Sequence, residues 1–202
     1  MLQTLKKPRI KMKICTVGEE AVGKTSLVRR FVADKFDGEY IRTIGTLISK
    51  RTIELEGPMG EPCQVDAVIW DIMGRQGFMD LLKDAYFYKA NAVLAVCDIT
   101  RKDTLEALQG WLDGVYDVAA TLPTSILANK SDLHERSEVT EEDVAELSET
   151  YNAIYFPTSA KTGENVFLAF ESLIRNALGH HMGDTSRAVS DQGVLRARID
   201  RP

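Results

Sequence analysis

The run GEEAVGKT, residues 18–25, places glycine, lysine and threonine at intervals that suit phosphate chemistry. Its glycines let the backbone wrap an anion closely and turn successive N–H groups inward. Gly18, Glu19, Glu20, Ala21, Val22 and Gly23 would form that wrap. A helix starting near Gly23, with Ser26 in line behind the loop, would add its positive end. Lys24 is then placed to bridge β- and γ-phosphate oxygens, and the Thr25 hydroxyl to bind Mg²⁺. The plain alternative is a chance glycine turn with a surface lysine. It is disfavoured by context, because the run lies between an expected strand and an expected helix. The motif by itself does not choose between ATP and GTP.

A second pair of runs bears on that choice. NKSD, residues 129–132, follows the apolar stretch SILA, and TSAK, residues 158–161, follows AIYFP. Open α/β sheets hold ligands at such strand ends. The Asp132 carboxylate can accept hydrogen bonds from guanine N1–H and its exocyclic amine, a donor pair adenine lacks. An adenine would leave that carboxylate unpaired, which is a strong basis for rejection. Asn129 would brace the neighbouring loops, and the Lys130 stem can lie over the base. In the second run, Ser159, Ala160 and Lys161 form the loop, with the Ala160 N–H placed for guanine O6. Either run alone reads equally well as a polar turn; their order and their strand-end positions make the case together.

These residues need a scaffold, and the rest of the chain supplies one. RIKMKICTVG alternates and then turns wholly apolar, as a strand does on entering a sheet covered on both faces. Leu27, Val28, Phe31 and Val32 share one helical face after the phosphate loop. Residues 34–43 are polar without a period and read as a loop. IGTLISKRTIELEGPMGEPCQVDAVIWD reads as two strands joined at EGPMGEP. NAVLAVCD and PTSILANK are buried strands. Leu105, Leu108, Leu112 and Val115 mark one helix, and Val166, Phe170, Leu173, Ile174 and Ala177 another. TEEDVAELSETY opens with Thr140 and Asp143 as a capping box. Strand and helix patterns alternate, so a mostly parallel α/β sheet wrapped by helices is expected. The apolar period stops at Gly179. The expected organisation is an extension over 1–9, one domain over 10–178 and a tail over 179–202.

Composition is consistent with that organisation. The chain has 202 residues, 44% of them hydrophobic, enough for one α/β domain. A net charge of −5 gives no sign of nucleic-acid binding. Of three scattered cysteines, Cys15, Cys63 and Cys97, the first and last sit in apolar runs and read as packing residues in a reducing compartment. The N-terminus is too charged for a secretory signal, and no apolar run reaches a membrane span, so a cytoplasmic protein is expected. His180 and His181, without further ligands, read as solvated tail residues rather than a metal site.

Taken together, GEEAVGKT, YIRTIG, WDIMG, NKSD and TSAK resemble the Ras superfamily of small GTPases over roughly residues 10–178. YIRTIG, Trp70 and DIT at 98–100 resemble its Rab branch. The resemblance implies a three-layer P-loop GTPase fold with a six-stranded, mostly parallel sheet and five helices. It implies GTP or GDP with Mg²⁺, switch segments near 36–48 and 70–82, and effector, exchange-factor or GAP proteins at those switches. By motif position, Phe36 resembles the aromatic on the guanine edge and Tyr40 a cover for the phosphates. Thr43 resembles the threonine that reaches Mg²⁺ in the GTP state, and Asp71 the aspartate that acts on Mg²⁺ through water. Gly74 resembles the glycine whose N–H meets the γ-phosphate. Trp70 and Phe78 read as core or interface aromatics.

The pattern also breaks. Arg75 stands where the catalytic glutamine is usual, and an arginine cannot accept the hydrogen bond that orients a water. Gln76 follows one position later. Glu20 stands where the family favours a small residue, and its carboxylate would repel a γ-phosphate. A Glu20–Arg75 pair would soften both effects; both side chains facing solvent is an equal alternative. No cysteine follows Cys97, and residue 2 is leucine, so prenyl and myristoyl anchors are not expected. That ending is closer to a prokaryotic or archaeal relative than to a trafficking Rab. A slow GTP hydrolase that switches conformation is the leading function. A non-hydrolysing GTP-binding scaffold is the alternative, and a P-loop kinase or ATPase is disfavoured by NKSD.

Overall fold

The computed structural model describes residues 7–36, 43–57, 60–74 and 83–181. Tyr40, Arg75, Gln76 and Phe78 lie outside the described residues, as do the chain from 182 onward and the first six residues.

Six strands form one sheet: β1 (Arg9–Val17), β2 (Thr46–Glu56), β3 (Pro62–Ile72), β4 (Ala92–Asp98), β5 (Thr124–Asn129) and β6 (Ile154–Thr158). Their order is β2-β3-β1-β4-β5-β6. Only β2 pairs antiparallel, with β3; the other pairings are parallel. Four α-helices lie among the described residues: α1 (Lys24–Ala33), α2 (Lys102–Ala119), α3 (Glu141–Thr150) and α4 (Val166–His181). Residues 83–87 are also helical and border undescribed chain.

The sheet carries a core on each face. On one face, Leu27, Val28 and Phe31 of α1 and Val166, Phe170, Leu173 and Ile174 of α4 pack on Met12, Ile14, Ile69 and Leu94. On the other, Leu105, Leu108, Trp111, Leu112 and Val115 of α2 and Val144 of α3 pack on Cys15, Val93, Ala95 and Ile126. Strands β4 and β5 are buried along their whole length, which is why their sequences are continuously apolar rather than alternating. The apolar faces expected of all three long periodic segments point inward. All three cysteines are buried free thiols.

Local signals also set the helix ends. The Thr140 side chain accepts from the Asp143 N–H, and the Asp143 carboxylate accepts from the Thr140 N–H, completing the capping box before α3. The last helix is described through His181, three residues beyond Leu178, its last buried apolar residue. Backbone hydrogen bonding carries it past Gly179 and His180 without help from a buried face. The chain around His180 is therefore helical although the apolar period has stopped. No helix among the described residues is long and apolar enough to cross a membrane.

Candidate functional site

The parallel strands β1, β4, β5 and β6 end at one edge of the sheet, and the expected site residues gather there. Directly after β1 the chain bends through Gly18 (φ 130°) and Gly23 (φ 102°), conformations that favour glycine. Close approach matters as much as φ. A Cβ on Gly18 would meet the Val96 carbonyl oxygen at 2.2 Å, and one on Gly23 the Asn129 Nδ2 at 2.3 Å. Helix α1 then begins at Lys24, so its free N–H groups face the loop.

Lys24 is buried, with its Nζ donating to the carbonyls of Gly18 and Glu19, both at 2.7 Å. Burial pushes its ammonium down to about 8, while Asp71, Glu19 and Glu20 pull it back up. A Cβ on Gly74 would lie 2.5 Å from the Glu19 backbone carbonyl carbon as well as from this Nζ, so the turn after β3 closes on the phosphate loop only because residue 74 is glycine. The result is a tight loop at the N-terminus of α1, wrapped around a buried cation.

Three hard oxygens converge beside it. The Thr25 hydroxyl lies 2.5 Å from Asp71 Oδ2 and 2.9 Å from the Thr43 hydroxyl. Asp71 is fully buried at the end of β3, and burial pushes its carboxyl up against the opposing effects of the Thr25 hydrogen bond and Lys24. Two hydroxyls and one carboxylate beside a phosphate cradle are the donor set that Mg²⁺ takes when phosphate and water complete its shell. Residues 25, 43 and 71 thus fit the metal, and Thr43 arrives from the far side of the undescribed segment 37–42.

At the ends of β5 and β6 lies the second cluster. Asn129 is buried; its Nδ2 donates to the Val22 carbonyl at 2.7 Å, and its Oδ1 accepts from the Ala160 N–H at 3.2 Å. One side chain therefore joins the phosphate loop to the loop after β6. Lys130 takes the left-handed conformation (φ 69°), which swings its stem back across the strand ends to Asp98 Oδ2, 2.5 Å away. Asp132 lies in the first turn of a 3-10 helix (Ser131–Arg136). Its Oδ1 accepts from the Ser159 hydroxyl at 2.7 Å, with Lys161 Nζ 3.7 Å from Oδ2. Phe36 stands exposed after α1, outside this network.

Several residues of the network were not anticipated from sequence. Thr16 is buried and donates to Asp71 Oδ1 at 3.2 Å, fixing the carboxylate's orientation. The Trp111 indole of α2 donates to Glu19 Oε1 at 2.9 Å, turning that side chain away from the cradle. Asp98, which the sequence marks only as part of the Rab-like DIT, is 1% exposed and ion-paired to both Lys130 and Arg101. The available signal was a carboxylate closing an otherwise wholly apolar strand.

Fold and site together define a P-loop guanine-nucleotide-binding domain of the small-GTPase type. A family model described as "Ras family" matches residues 13–179, and the chain belongs to that family. It is 33% identical over 183 residues to the Ras-related protein Rab-13 of Rattus norvegicus, covering 88% of this chain and 87% of the relative. It is 35% identical over 164 residues to the Ras-related protein Rab-25 of Canis lupus familiaris, covering 81% and 74%. The chain is accordingly a Rab-like small GTPase. It binds GTP and GDP with Mg²⁺, hydrolyses GTP and acts as a molecular switch. Members of this family work through regulators and effectors.

Proposed function

We propose that this GTPase is a slow switch, with its output carried by the GTP-bound shape rather than by turnover. The observation that carries the reading is the meeting of Thr25, Thr43 and Asp71 beside the Lys24 cradle. These groups sense Mg²⁺ and a γ-phosphate, and they keep transition-state charge stabilised whatever residue follows Gly74. In this reading the backbone of residues 18–26 holds the phosphates, with Lys24 bridging their oxygens. Thr25 and Thr43 would ligate Mg²⁺, and Asp71 would act on it through water. Gly74 meets the γ-phosphate, and Tyr40 covers it. Asn129, Lys130, Asp132, Ser159, Ala160 and Lys161, with Phe36 at the edge, hold guanine.

Slowness follows from Arg75, which has no lone pair with which to orient the attacking water. Ordered switches are read by protein partners: an effector, an exchange factor or a GAP. Ile44 is 89% exposed, and Leu47 and Ile48 of β2 are exposed beside it. These exposed apolar side chains support docking of a protein rather than of nucleic acid. Three free thiols support a cytoplasmic setting.

Single-turnover hydrolysis of GTP tests the proposal. The wild-type rate is expected at or below about 10⁻⁴ s⁻¹, the scale of an unassisted small GTPase. Arg75→Gln restores an acceptor and should raise it, while Gln76→Ala should change it little. A slower Arg75→Gln would make Arg75 itself catalytic and overturn the assignment.

A further inference from the structure

Between the phosphate loop and the base cluster lies a buried carboxylate that neither assignment uses. Asp98 ends β4, where its register partner across β4 and β5 is Asn129. Its Oδ1 accepts from the Thr100 N–H at 3.0 Å and the Thr100 hydroxyl at 2.7 Å. Its Oδ2 accepts from Lys130 Nζ at 2.5 Å and Arg101 Nε at 3.2 Å. Arg101 does not stop there. Its Nη2 donates to the Glu20 carbonyl in the phosphate loop, at 3.0 Å. A planar guanidinium can hold both acceptors at once, because Nε carries one N–H and Nη2 two, all in one plane at fixed directions.

We infer that Asp98 and Arg101 form a clamp tying the phosphate loop to the base-binding loop, and that Arg101 is a positioning residue governing nucleotide release. Arg101 fixes the Glu20 peptide with its carbonyl turned outward, the orientation that leaves loop N–H groups facing the phosphates. The same carboxylate anchors the Lys130 stem. Loosening one loop therefore loosens the hold on the other, and a bound guanine nucleotide leaves when both open. The inference rests on the guanine-nucleotide reading of this site.

The substitution Arg101→Lys separates the clamp from simple neutralisation of Asp98. The ammonium it introduces would still compensate the buried charge, but as a point donor it cannot span Asp98 and Glu20 in a fixed fork. The probe is N-methylanthraniloyl-GDP on the full chain with Mg²⁺, its release chased by excess unlabelled GDP. Arg101→Lys and Arg101→Ala should each release it about ten-fold faster, the scale of one charge-assisted hydrogen bond. Asp98→Asn should release it at least as fast, and adding Arg101→Ala to Asp98→Asn should then change the rate less than about two-fold. The Arg101→Lys thermal midpoint at saturating GDP should stay within about 2 °C of wild type, since a surface-reaching charge is retained.

Release of Arg101→Lys at the wild-type rate overturns the clamp and leaves Arg101 as a neutralising charge. Faster release accompanied by a large fall in the midpoint overturns it as well, because general loosening would then be the cause. Wild-type protein that binds the GDP probe normally while the Arg101 variants release it unchanged refutes only the clamp. Wild-type protein that fails to bind the probe refutes the nucleotide reading, and the clamp falls with it.

Discussion

Asn129→Ala gives the sharpest test of how the site is assembled. The side chain makes two buried hydrogen bonds, to the Val22 carbonyl and from the Ala160 N–H. Truncation removes both partners at once and leaves a backbone acceptor and a backbone donor without them. Each orphaned buried group costs about 1–3 kcal/mol. Some hydration through the site mouth is expected for the Val22 carbonyl, so a total of about 3 kcal/mol is reasonable. For a chain of this size each kcal/mol moves the midpoint by about 2–4 °C, so Tm should fall by roughly 6–12 °C. GDP affinity should fall on the order of 100-fold, because the two loops that the nucleotide needs in register are no longer joined. The assay is thermal unfolding at one fixed GDP concentration, since bound ligand itself raises Tm, with GDP affinity titrated separately. Asn129→Asp keeps an acceptor for the Ala160 N–H but sets a carboxylate against the Val22 carbonyl, so it should resemble Asn129→Ala rather than wild type. A Tm within about 2 °C of wild type and an affinity within about two-fold would refute the bracing role.

Two other outcomes are expected. Asp132→Asn should exchange guanine preference for xanthine, because the new amide offers a donor where guanine presents one and xanthine presents a carbonyl; equal wild-type affinity for ATP and GTP would sink the base assignment. Thr140→Ala should lower Tm by about 2–4 °C through loss of the α3 capping box, without changing nucleotide affinity. That cap also has a pH signature. Its partner carboxylate, Asp143, is held down to about 2 by the Thr140 backbone hydrogen bond first and by Lys102 next. The folded value lies below the unfolded one, so the contribution is complete above the ordinary carboxylate range and is lost as pH falls towards 2. An acid-unfolding midpoint unmoved by Asp143→Asn would refute it.

The phosphate loop was legible because it is one contiguous run in which each residue type answers a local demand. Gly18 and Gly23 are required by backbone conformation and close approach, Lys24 supplies the buried cation, and Thr25 supplies a hydroxyl for the proposed Mg²⁺ site. Helix faces and the capping box were legible for the same reason: period and caps are properties of neighbours in sequence. The exposed strand β2 was legible through its turn and its pairing partner, although most of its length faces outward. The continuation of α4 past Leu178 was not legible, because helical hydrogen bonding continues after the buried face has ended.

What only the tertiary structure decided is which distant groups share an acceptor. Thr16 and Asp71 are 55 residues apart, Arg101 and Glu20 are 81 apart, and Asn129 and Val22 are 107 apart. Composition offers many carboxylates and cations, and nothing local distinguishes the pair that meets from those that do not. Strand order makes the choice. Placing β4 between β1 and β5 brings Asp98 between the phosphate loop and the base loop. The sequence alone thus determined the chemistry at each strand end, through residue type and local geometry. The sheet determined which of those ends stand side by side, because parallel register aligns their carboxyl termini at one edge.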